Sequence, residues 1–317
     1  MRIGVVSNPR SLRNRKGGLA GHCAGNGDVP HAQPRTQQEL AEALSDFRRR
    51  EVGVIAVSGG DGTIREVLTA LPQAYGESLP DLALLPAGRT NLLARALHGA
   101  GLGSGVGAEG LARLEQAARA GRLSRVELPM LDVTWRDGSA RRLSGFLFGA
   151  AGFAAGTRLA YSHVHAAGIN NGAAVAFSIA GMLAKVLFGS DRNALLAGEP
   201  LELSVDGGPV RGGSHFVTLA TTLDRLMLGL RPFWGEGSGP LRWLDIAAPP
   251  RRLMAALLPV LRGRPRPWMA EAGYASGRAD ALDLDFAQPF VVDGELYDPG
   301  AAGIRLTAER RIGIVAP

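Results

Sequence analysis

Cysteine is almost absent from this sequence, since Cys23 is the single one among 317 residues. The chain can therefore form neither an internal disulfide nor a cysteine-based zinc site, and we expect it in a reducing compartment, the cytoplasm. Long apolar runs are also missing. The longest, residues 173–189, is too short for a membrane-spanning helix and contains Lys185. Residues 1–10 include no apolar core of the length expected for a signal peptide.

Lysine is scarce as well, because Lys16 and Lys185 are its only representatives. Neither lies in a Gly-x-x-x-x-Gly-Lys-Ser/Thr segment, which excludes a P-loop NTPase and also the lysine-dependent protein-kinase signature. Aromatic residues make up 6% of the chain and do not alternate with basic ones as a base-stacking platform requires. We therefore expect no nucleic-acid partner. The net charge of +6 remains suited to phosphates and anionic lipid headgroups.

The first third of the sequence alternates predicted strands and helices. Residues 52–57 are an unbroken apolar run, which is typical of a parallel strand covered on both faces. One face of the following helix, which Pro72 is expected to end, carries apolar residues at i, i+3, i+4 and i+7. Repeated strand–loop–helix units predict an open α/β sheet that binds ligands at the C-terminal edge of its strands. The apolar helical positions are Ile64, Val67, Leu68 and Leu71.

Beyond Arg125 the pattern changes to short strand candidates separated by Gly or Asp turns, which favours an antiparallel sandwich or barrel. Two apolar helical stretches, residues 173–188 and 253–261, interrupt these strands. We predict an N-terminal nucleotide-binding domain at 1–122, to which 308–317 returns as an extra strand, and a lipid-substrate domain at 123–307. The strand candidates are residues 126–128, 131–135, 146–148, 201–205, 215–221 and 241–246.

The most informative motif is residues 58–63, Ser-Gly-Gly-Asp-Gly-Thr, between a predicted strand and a predicted helix. Glycine lets the backbone approach a phosphate chain closely, and the free N–H groups of a helix start can bind it. Asp61 supplies a carboxylate that can hold magnesium or accept a hydroxyl proton. The alternative is a tight turn in which Asp61 or Thr63 merely caps the helix.

Two further loops are expected at the same edge of the sheet. Residues 85–92 include Arg89, which can neutralise a phosphate, and Thr90 and Asn91, which can contact a nucleotide or cap the next helix. Residues 7–18 follow the first strand as a polar loop that either binds phosphate or is simply solvated. This loop contains Arg13, Arg15 and Lys16.

A second acidic segment lies near the C-terminus, where Asp293, Gly294 and Glu295 follow an apolar strand candidate. Alone, it indicates an ordinary hairpin turn. Together with the three loops, it becomes a candidate second acidic site.

These segments together resemble the diacylglycerol kinase catalytic family, which also includes sphingosine kinases, ceramide kinases and bacterial lipid kinases. Residues 59–63 are similar to the family's nucleotide loop, and Asn8-Pro9 with Ser11 to its opening Asn-Pro motif. Residues 86–91 are similar to its Pro-x-Gly-Thr-x-Asn loop and residues 293–295 to its late acidic motif. These four motifs occur in the family's order and span the chain.

The resemblance implies a NAD-kinase-like α/β domain with a parallel sheet, followed by an all-β sandwich domain with inserted helices. It implies a lipid kinase that uses ATP and Mg²⁺ to phosphorylate a diacylglycerol-like, sphingoid or ceramide hydroxyl, as in phospholipid biosynthesis. Asp61 would act as base or magnesium partner, with Glu295 in support. Thr36 stands where the family often has a nucleotide-binding threonine. The residues expected to bind the nucleotide are Asn8, Pro9, Ser11, Thr36, Gly59, Gly60, Gly62, Thr63, Gly88, Arg89, Thr90, Asn91, Asp293 and Gly294.

The implied partners are ATP, a lipid substrate and a membrane surface, contacted transiently by a cytoplasmic protein at the inner membrane face. A homodimer is a further expectation. Three departures from the family pattern speak against an accessory magnesium site: Leu92 after Asn91, Ala154 after Phe153, and no carboxylate in residues 238–241. A NAD-kinase-like enzyme, a sugar or nucleoside kinase, and a catalytically impaired lipid- or nucleotide-binding protein stay open as alternatives.

Overall fold

The computed structural model describes residues 1–11, 13–14, 19–25, 29–88, 91, 105–158, 196–226 and 229–317. The chain divides into two units: unit 1 comprises Met1–Leu128 with Arg311–Pro317, and unit 2 comprises Pro129–Arg310. Two helices predicted from the sequence, at 92–97 and 173–188, lie outside the described residues. The same is true of Arg15, Lys16, Arg89 and Thr90.

Unit 1 is built on a six-stranded sheet. Its strands, numbered in chain order, are β1 (Arg2–Ser7), β2 (His31–Ala32), β3 (Val52–Gly59), β4 (Asp81–Pro86), β5 (Ser124–Pro129) and β18 (Arg311–Ala316). Their order across the sheet is β2-β1-β3-β4-β18-β5, and the pairs from β2 to β18 are parallel. The C-terminal end of the chain thus supplies an inner strand of the N-terminal sheet.

Four described helices accompany this sheet: α1 (Leu19–Gly25), α2 (Gln37–Arg49), α3 (Asp61–Tyr75) and α4 (Gly107–Arg119). The apolar positions predicted within residues 64–71 are buried on α3. The expectation that Pro72 ends this helix was wrong, because α3 continues to Tyr75. It ends instead at Gly76, whose φ of +67° is accessible to glycine and whose N–H donates to Pro72 O.

One face of the sheet shares a core with α1 and α4. Val54 and Ala56 of β3 lie in this core together with Leu111 and Leu114 of α4. Cys23 of α1 is buried in the same core. Its burial, followed by the negative charge of Glu115, raises the pKa of the thiol to about 11, so the thiol stays protonated at neutral pH.

The strand at residues 126–128 belongs to a different sheet from the one expected. The sequence pattern grouped it with the strands of the second region, whereas β5 lies beside β18 in the sheet of unit 1. Two ion pairs accompany this placement. Arg125 Nε lies 2.9 Å from Asp81 Oδ1 of β4, and Arg311 Nε of β18 lies 3.0 Å from Glu127 Oε2. These partners are far apart in the sequence, so the local pattern did not indicate them.

Unit 2 consists of two antiparallel sheets. The first has the order β10 (Glu202–Val205), β14 (Ala281–Asp285), β17 (Ile304–Thr307), β6 (Leu131–Trp135) and β7 (Arg142–Gly145). The second has the order β13 (Tyr274–Ala279), β12 (Leu241–Ala247), β11 (Ser214–Thr221), β8 (Leu147–Ala151), β15 (Phe290–Val292) and β16 (Glu295–Tyr297), with β9 (Glu199–Pro200) paired to β11.

The two sheets of unit 2 enclose one core. Leu131 and Ile304 of the first sheet are fully buried in it together with Phe148 and Phe290 of the second. The rings of Phe148 and Phe290 lie 5.5 Å apart between centroids. Of the two architectures that the sequence left open, a sandwich and a barrel, unit 2 forms the sandwich.

Helices α5 (Leu253–Leu261) and α6 (Pro267–Glu271) lie among the described residues that pack on the outer face of the second sheet. Ala256 and Val260 of α5 and Met269 of α6 pack with Leu244 and Ile246 of β12. Helix α5 confirms the apolar helix predicted at residues 253–261. Within the described residues, no helix has both the length and the apolar character that crossing a bilayer requires.

A buried ion pair closes one end of the first sheet of unit 2. Arg310 Nε donates to Asp132 Oδ2 over 2.8 Å, and the guanidinium also contacts the other oxygen of this carboxylate. Ser144 Oγ donates to Asp132 Oδ1 over 2.7 Å. Both charges are shielded, with side-chain exposures of 5% for Asp132 and 15% for Arg310. A charge left alone here would be costly, because little water can replace the lost partner.

We predict that Asp132→Asn lowers the free energy of unfolding by about 3 kcal/mol, because it leaves the Arg310 guanidinium buried without its counter-charge. Asp283→Asn is the matched control, since Asp283 pairs with Arg305 of the same sheet and that guanidinium is half exposed. The control is expected to cost less than about 1 kcal/mol. Urea unfolding of both variants measures the difference, and equal losses would contradict the prediction.

Candidate functional site

Three loops leave the parallel sheet of unit 1 at one edge. In the strand register Ser7 of β1 lies beside Ser58 of β3, and Gly59 of β3 lies beside Pro86 of β4. These strands are parallel, so the segments that follow them emerge side by side. We call them loop 1 (residues 8–14), loop 2 (59–63) and loop 3 (86–91). The structure thus brings three of the predicted motifs together.

Loop 1 is fastened to the end of β3 by two asparagines. The backbone N–H of Asn8 donates to Ser58 O over 2.9 Å. Asn14 Nδ2 donates to the same carbonyl over 3.0 Å, and the Ser58 hydroxyl donates to Asn14 Oδ1 over 2.9 Å. Asn14 was not among the predicted site residues. Its signal in the sequence was weak, because it is a polar residue within a basic loop.

Loops 2 and 3 meet backbone to backbone at two glycines. A Cβ added to Gly88 would lie 2.5 Å from the Cα of Gly60, which is closer than real Cβ contacts come. The N–H groups of Ala87 and Gly88 donate to Gly59 O over 2.9 and 3.2 Å. The two loops therefore form a narrow, main-chain-lined cradle that residues with a Cβ would open.

Helix α3 begins inside this cradle. Its N-cap is Gly60, which offers no side chain to cap the helix, and its first intrahelical bond runs from Ile64 N–H to Gly60 O. The N–H groups of Gly62 and Thr63 therefore have no carbonyl of their own helix to bind. The helix dipole adds partial positive charge at this end, which favours an anion.

Two side chains at the start of α3 are candidates for direct roles. Asp61 is the first residue of the helix and is half-buried. Thr63 Oγ1 accepts a hydrogen bond from Asn8 Nδ2 over 3.1 Å, which ties the opening Asn-Pro motif to the nucleotide loop. The Thr63 side chain also fills the space beside Gly59. A Cβ added to Gly59 would lie 2.4 Å from the Cβ of Thr63.

The conformation of loop 3 depends on Asn91. Its Oδ1 accepts the Gly88 N–H over 3.0 Å and its Nδ2 donates to Gly88 O over 2.9 Å. Asn91 has a φ of +49°, a left-handed conformation that asparagine tolerates better than most residues. The side chain therefore holds Gly88 in place, which is a positioning role.

One arginine of loop 1, Arg13, lies close to loop 3. The backbone N–H of Arg13 donates to Ala87 O and its guanidinium donates to Pro86 O, both over 3.2 Å. The backbone N–H of Arg10 donates to Asn8 Oδ1 over 2.9 Å, and its side chain is exposed. The predicted basic loop thus supplies the positive charge of Arg13 near loop 3.

Thr36 has a local structural role in this structure. Its Oγ1 accepts the Glu39 N–H over 3.1 Å and so caps α2. Glu39 in turn accepts the Arg35 N–H over 2.6 Å. Nucleotide contact by Thr36 stays a prediction.

One residue of α3 was missed by the sequence analysis. Arg65 is buried, with 7% exposure, and follows Asp61 by four residues. Residues four apart in a helix lie on the same face, so Arg65 brings positive charge to the face that carries Asp61. In the sequence Arg65 is an ordinary charged residue of a helix, and only its burial in the folded protein distinguishes it.

The late acidic motif is a tight hairpin of unit 2, between β15 and β16. Asp293 and Gly294 both have positive φ, 47° and 91°, as in a two-residue hairpin turn. The Asp293 carboxylate accepts the N–H groups of Phe146 and Leu147, over 3.1 and 2.9 Å. Glu295 is exposed at the start of β16. The two carboxylates therefore differ: that of Asp293 is hydrogen-bonded to main-chain N–H groups, whereas Glu295 is exposed to solvent.

Metal ligands are not clustered in the described part of the chain. No group of three or more His, Cys, Asp or Glu side chains there is arranged to hold a metal ion. His31, close to loop 1, instead contacts the Ser7 hydroxyl at 2.7 Å, and burial lowers the pKa of its ring.

The N-terminal part of the chain matches a known protein family. Residues 3–128 match the model of the diacylglycerol kinase catalytic domain. The resemblance to the diacylglycerol kinase catalytic family is confirmed. This match covers β1 to β5 and therefore includes all three loops of unit 1.

Curated relatives of this family match over a short segment. "Probable lipid kinase YegS" of Shigella flexneri is 42% identical to the chain over 53 residues, which are 17% of this chain and 18% of that protein. The Escherichia coli O157:H7 protein of the same name gives the same values. The aligned segment thus spans less than a fifth of these relatives' length.

Solved structures match the fold of the whole chain. A diacylglycerol kinase from Bacillus anthracis has a TM-score of 0.59 at 14% identity, covering 100% of this chain and 97% of that one. Yeast NADH kinase, solved with NADH, has a TM-score of 0.50 at 10% identity, covering 100% of this chain and 84% of that one. The predicted fold class, a NAD-kinase-like α/β region followed by antiparallel sheets, is confirmed.

We predict that Gly88→Ala lowers the free energy of unfolding by about 1–3 kcal/mol, because the new methyl group would meet the Gly60 backbone. Gly53→Ala is the control: its Cβ would meet only the flexible Met1 side chain, at 3.4 Å. The control is expected to change stability by less than about 1 kcal/mol. Chemical denaturation measures both. Wild-type stability of the Gly88 variant would show that the two loops do not touch.

We also predict that Asp293→Ala lowers the free energy of unfolding by about 2 kcal/mol, because the Phe146 and Leu147 N–H groups lose their charged acceptor. Glu295→Ala removes a carboxylate two residues away that is exposed, and is expected to cost less than about 0.5 kcal/mol. Urea unfolding distinguishes the two. A larger loss for the Glu295 variant would reverse the assigned roles.

Proposed function

We propose that this protein is an ATP-dependent lipid kinase that transfers the γ-phosphate of ATP, with Mg²⁺, to a lipid hydroxyl. The observation that carries the proposal is the cradle of loops 2 and 3, where an uncapped helix start lies beside Asp61. The match of residues 3–128 to the diacylglycerol kinase catalytic domain supports phosphoryl transfer as the reaction. In this proposal unit 1 binds the nucleotide and unit 2 binds the lipid.

The residues of the cradle fit a magnesium-bound triphosphate. Main-chain N–H groups at the start of α3 suit phosphate oxygens, and Gly60 and Gly88 leave no Cβ in the way. Magnesium usually keeps several waters and phosphate oxygens as ligands, so one protein carboxylate is enough to hold it there. When bound, the magnesium ion offsets the negative charge that develops on the transferred phosphoryl group.

The chain's own residues have three proposed tasks. Gly62 and Thr63 present N–H groups to the phosphates, and the arginines of loop 1, including Arg13, neutralise charge. Asp61 either accepts the proton of the lipid hydroxyl or holds magnesium. In the reaction the hydroxyl oxygen forms a bond to the γ-phosphorus as the bond to the β-phosphate oxygen breaks, giving a phosphorylated lipid and ADP. Positioning of these groups supplies most of the rate enhancement.

The late acidic hairpin contributes through two different carboxylates. Asp293 is committed to the Phe146 and Leu147 N–H groups, so we assign it a positioning role in this hairpin. Glu295 is exposed and is proposed to assist Asp61 in the reaction. Glu295→Gln is therefore expected to reduce turnover without the loss of stability predicted for Asp293→Ala.

The acceptor is proposed to be a diacylglycerol-like lipid or a sphingoid or ceramide lipid, as a step of phospholipid biosynthesis. The relatives named as lipid kinases support a lipid acceptor. A protein acting on such a lipid would work at a membrane surface, and we propose a cytoplasmic protein at the inner membrane face.

Separate incubations of labelled ATP with diacylglycerol, ceramide, sphingosine and NAD distinguish the acceptors. Label in NAD alone would favour a NAD kinase.

We predict that Asp61→Asn lowers lipid phosphorylation about 100-fold or more, the usual scale for loss of a positioned proton acceptor or metal partner. Asp46→Asn is the matched control, because Asp46 is an exposed carboxylate that pairs with Arg49 and Arg50 at the end of α2. It should retain wild-type turnover. Transfer from labelled ATP is measured after circular dichroism confirms folding, and wild-type activity in Asp61→Asn would refute the assignment.

The magnesium dependence of the same variant separates the two roles of Asp61. Loss of a magnesium partner would raise the magnesium concentration needed for half-maximal rate. Loss of a proton acceptor would lower the rate at saturating magnesium and leave that concentration unchanged.

A further inference from the structure

A cationic cavity lies in unit 2, and its described lining residues belong to none of the motifs used above. It has a volume of about 330 Å³, and the described residues that line it are Asp224, Arg225, Arg231, Phe233 and Arg242. Arg242 is near the start of β12, and the others belong to the connection between β11 and β12. We call this space the arginine cavity. Three guanidinium groups around one small cavity make it suited to an anion.

The acidic side chain of the cavity does not neutralise it. Asp224 pairs with Arg242. Within the described residues, Arg225 and Arg231 have neither an ion pair nor a side-chain hydrogen bond. Two positive charges therefore remain at the cavity without a described protein partner. A phosphate group, with several acceptor oxygens, can bind more than one guanidinium at once.

The strand register adds further positive charge next to the cavity. Arg242 of β12 lies directly opposite Arg278 of β13 in the antiparallel pair. Like charges in such a cross-strand pair repel one another, so an anion bound beside them would relieve unfavourable electrostatic energy. Among the described residues, Asp224 supplies the carboxylate that pairs with Arg242, and its side chain is 84% exposed.

One wall of the arginine cavity is attached to the end of helix α5. The Arg231 N–H donates to Leu261 O over 3.3 Å. Gly263, just beyond the helix, lies so close to this wall that an added Cβ would be 2.4 Å from Arg231 O and 2.5 Å from Phe233 O. The cavity and α5 are therefore parts of one surface of unit 2.

Helix α5 is apolar throughout and presents part of that character to solvent. Its sequence, Leu-Met-Ala-Ala-Leu-Leu-Pro-Val-Leu, contains no charged or hydrogen-bonding side chain. Met254 and Leu258, four residues apart, are 61% and 53% exposed. Arginines flank the helix at both ends: Arg251 and Arg252 before it, and Arg262, Arg264 and Arg266 after it. An exposed apolar face bordered by arginines is typical of a surface that binds anionic membranes.

We propose that unit 2 docks on anionic phospholipid bilayers through α5, and that the arginine cavity takes up the phosphate of a lipid headgroup. Met254 and Leu258 enter the boundary between headgroups and acyl chains, while Arg225 and Arg231 bind the phosphate oxygens. The charge of this surface is complementary to an anionic bilayer and unfavourable for another copy of the same basic face. The inference extends the proposed lipid kinase activity, yet vesicle binding without ATP tests it independently.

The test is flotation of the full chain with phosphatidylcholine vesicles that contain or lack phosphatidylglycerol. We expect binding to the anionic vesicles to be much stronger. The double variant Arg225→Gln with Arg231→Gln should weaken that binding about 10- to 30-fold, since each basic residue at a membrane surface contributes on the order of a tenfold or smaller factor. The control, Arg136→Gln with Arg142→Gln, removes the same net charge from exposed positions associated with the other sheet.

A second pair of variants tests the apolar contribution. Leu258→Asn should weaken binding to anionic vesicles about tenfold, because it withdraws one apolar side chain from the bilayer boundary. Val210→Asn is its control, since Val210 is 60% exposed in a loop outside α5. Calorimetry with inorganic phosphate, on the wild type and on the Arg225→Gln with Arg231→Gln variant, shows whether the arginine cavity binds free phosphate.

Four results would overturn the proposal. They are equal binding to neutral and anionic vesicles, equal losses in the two arginine double variants, equal losses in Leu258→Asn and Val210→Asn, and tight binding of inorganic phosphate without vesicle binding. Failure of the kinase proposal would appear separately. In that case the protein would bind vesicles normally but would form no phosphorylated lipid from acceptors dispersed in detergent.

Discussion

Gly60 and Gly88 meet at the ends of β3 and β4, where a Cβ on Gly88 would lie 2.5 Å from the Gly60 backbone. This approach determines how closely loops 2 and 3 can stand, and so it shapes the cradle at the start of α3. Asn91 holds Gly88 through two hydrogen bonds, and Asn8 holds Thr63. The polar motifs around the glycines therefore act largely as supports for main-chain groups, and Asp61 is the side chain among them that is proposed to react.

The acidic hairpin of unit 2 likewise combines a residue with a structural role and a residue with a proposed chemical role. Asp293 anchors the turn to the Phe146 and Leu147 backbone, and this anchoring fixes where the neighbouring Glu295 begins β16. The Asp293 carboxylate is thus already hydrogen-bonded to two main-chain donors. Glu295, by contrast, is exposed to solvent. The motif thus combines one structural and one proposed chemical carboxylate within three residues.

Local patterns in the sequence predicted much of this fold. The apolar run at 52–57 became β3, the helical period at 64–71 became the buried face of α3, and the two-residue turn at Asp293 formed as expected. Features that depend on distant partners were not predictable in this way. The ion pair of Arg125 with Asp81 lies between residues 44 positions apart, and the role of Asn14 depends on Ser58 at the same separation. The close approach of Gly60 to Gly88 likewise joins two loops, whose spacing is defined only in the folded sheet.

The most direct test of the central claim is calorimetric titration of the protein with ATP, ADP and AMP in the presence of magnesium. If main-chain groups of the glycine cradle bind the phosphate chain, affinity should fall stepwise as phosphates are removed, with ATP the tightest ligand and AMP the weakest. Equal affinities for the three nucleotides, or no binding of ATP at all, would contradict a phosphate-binding cradle at the start of α3.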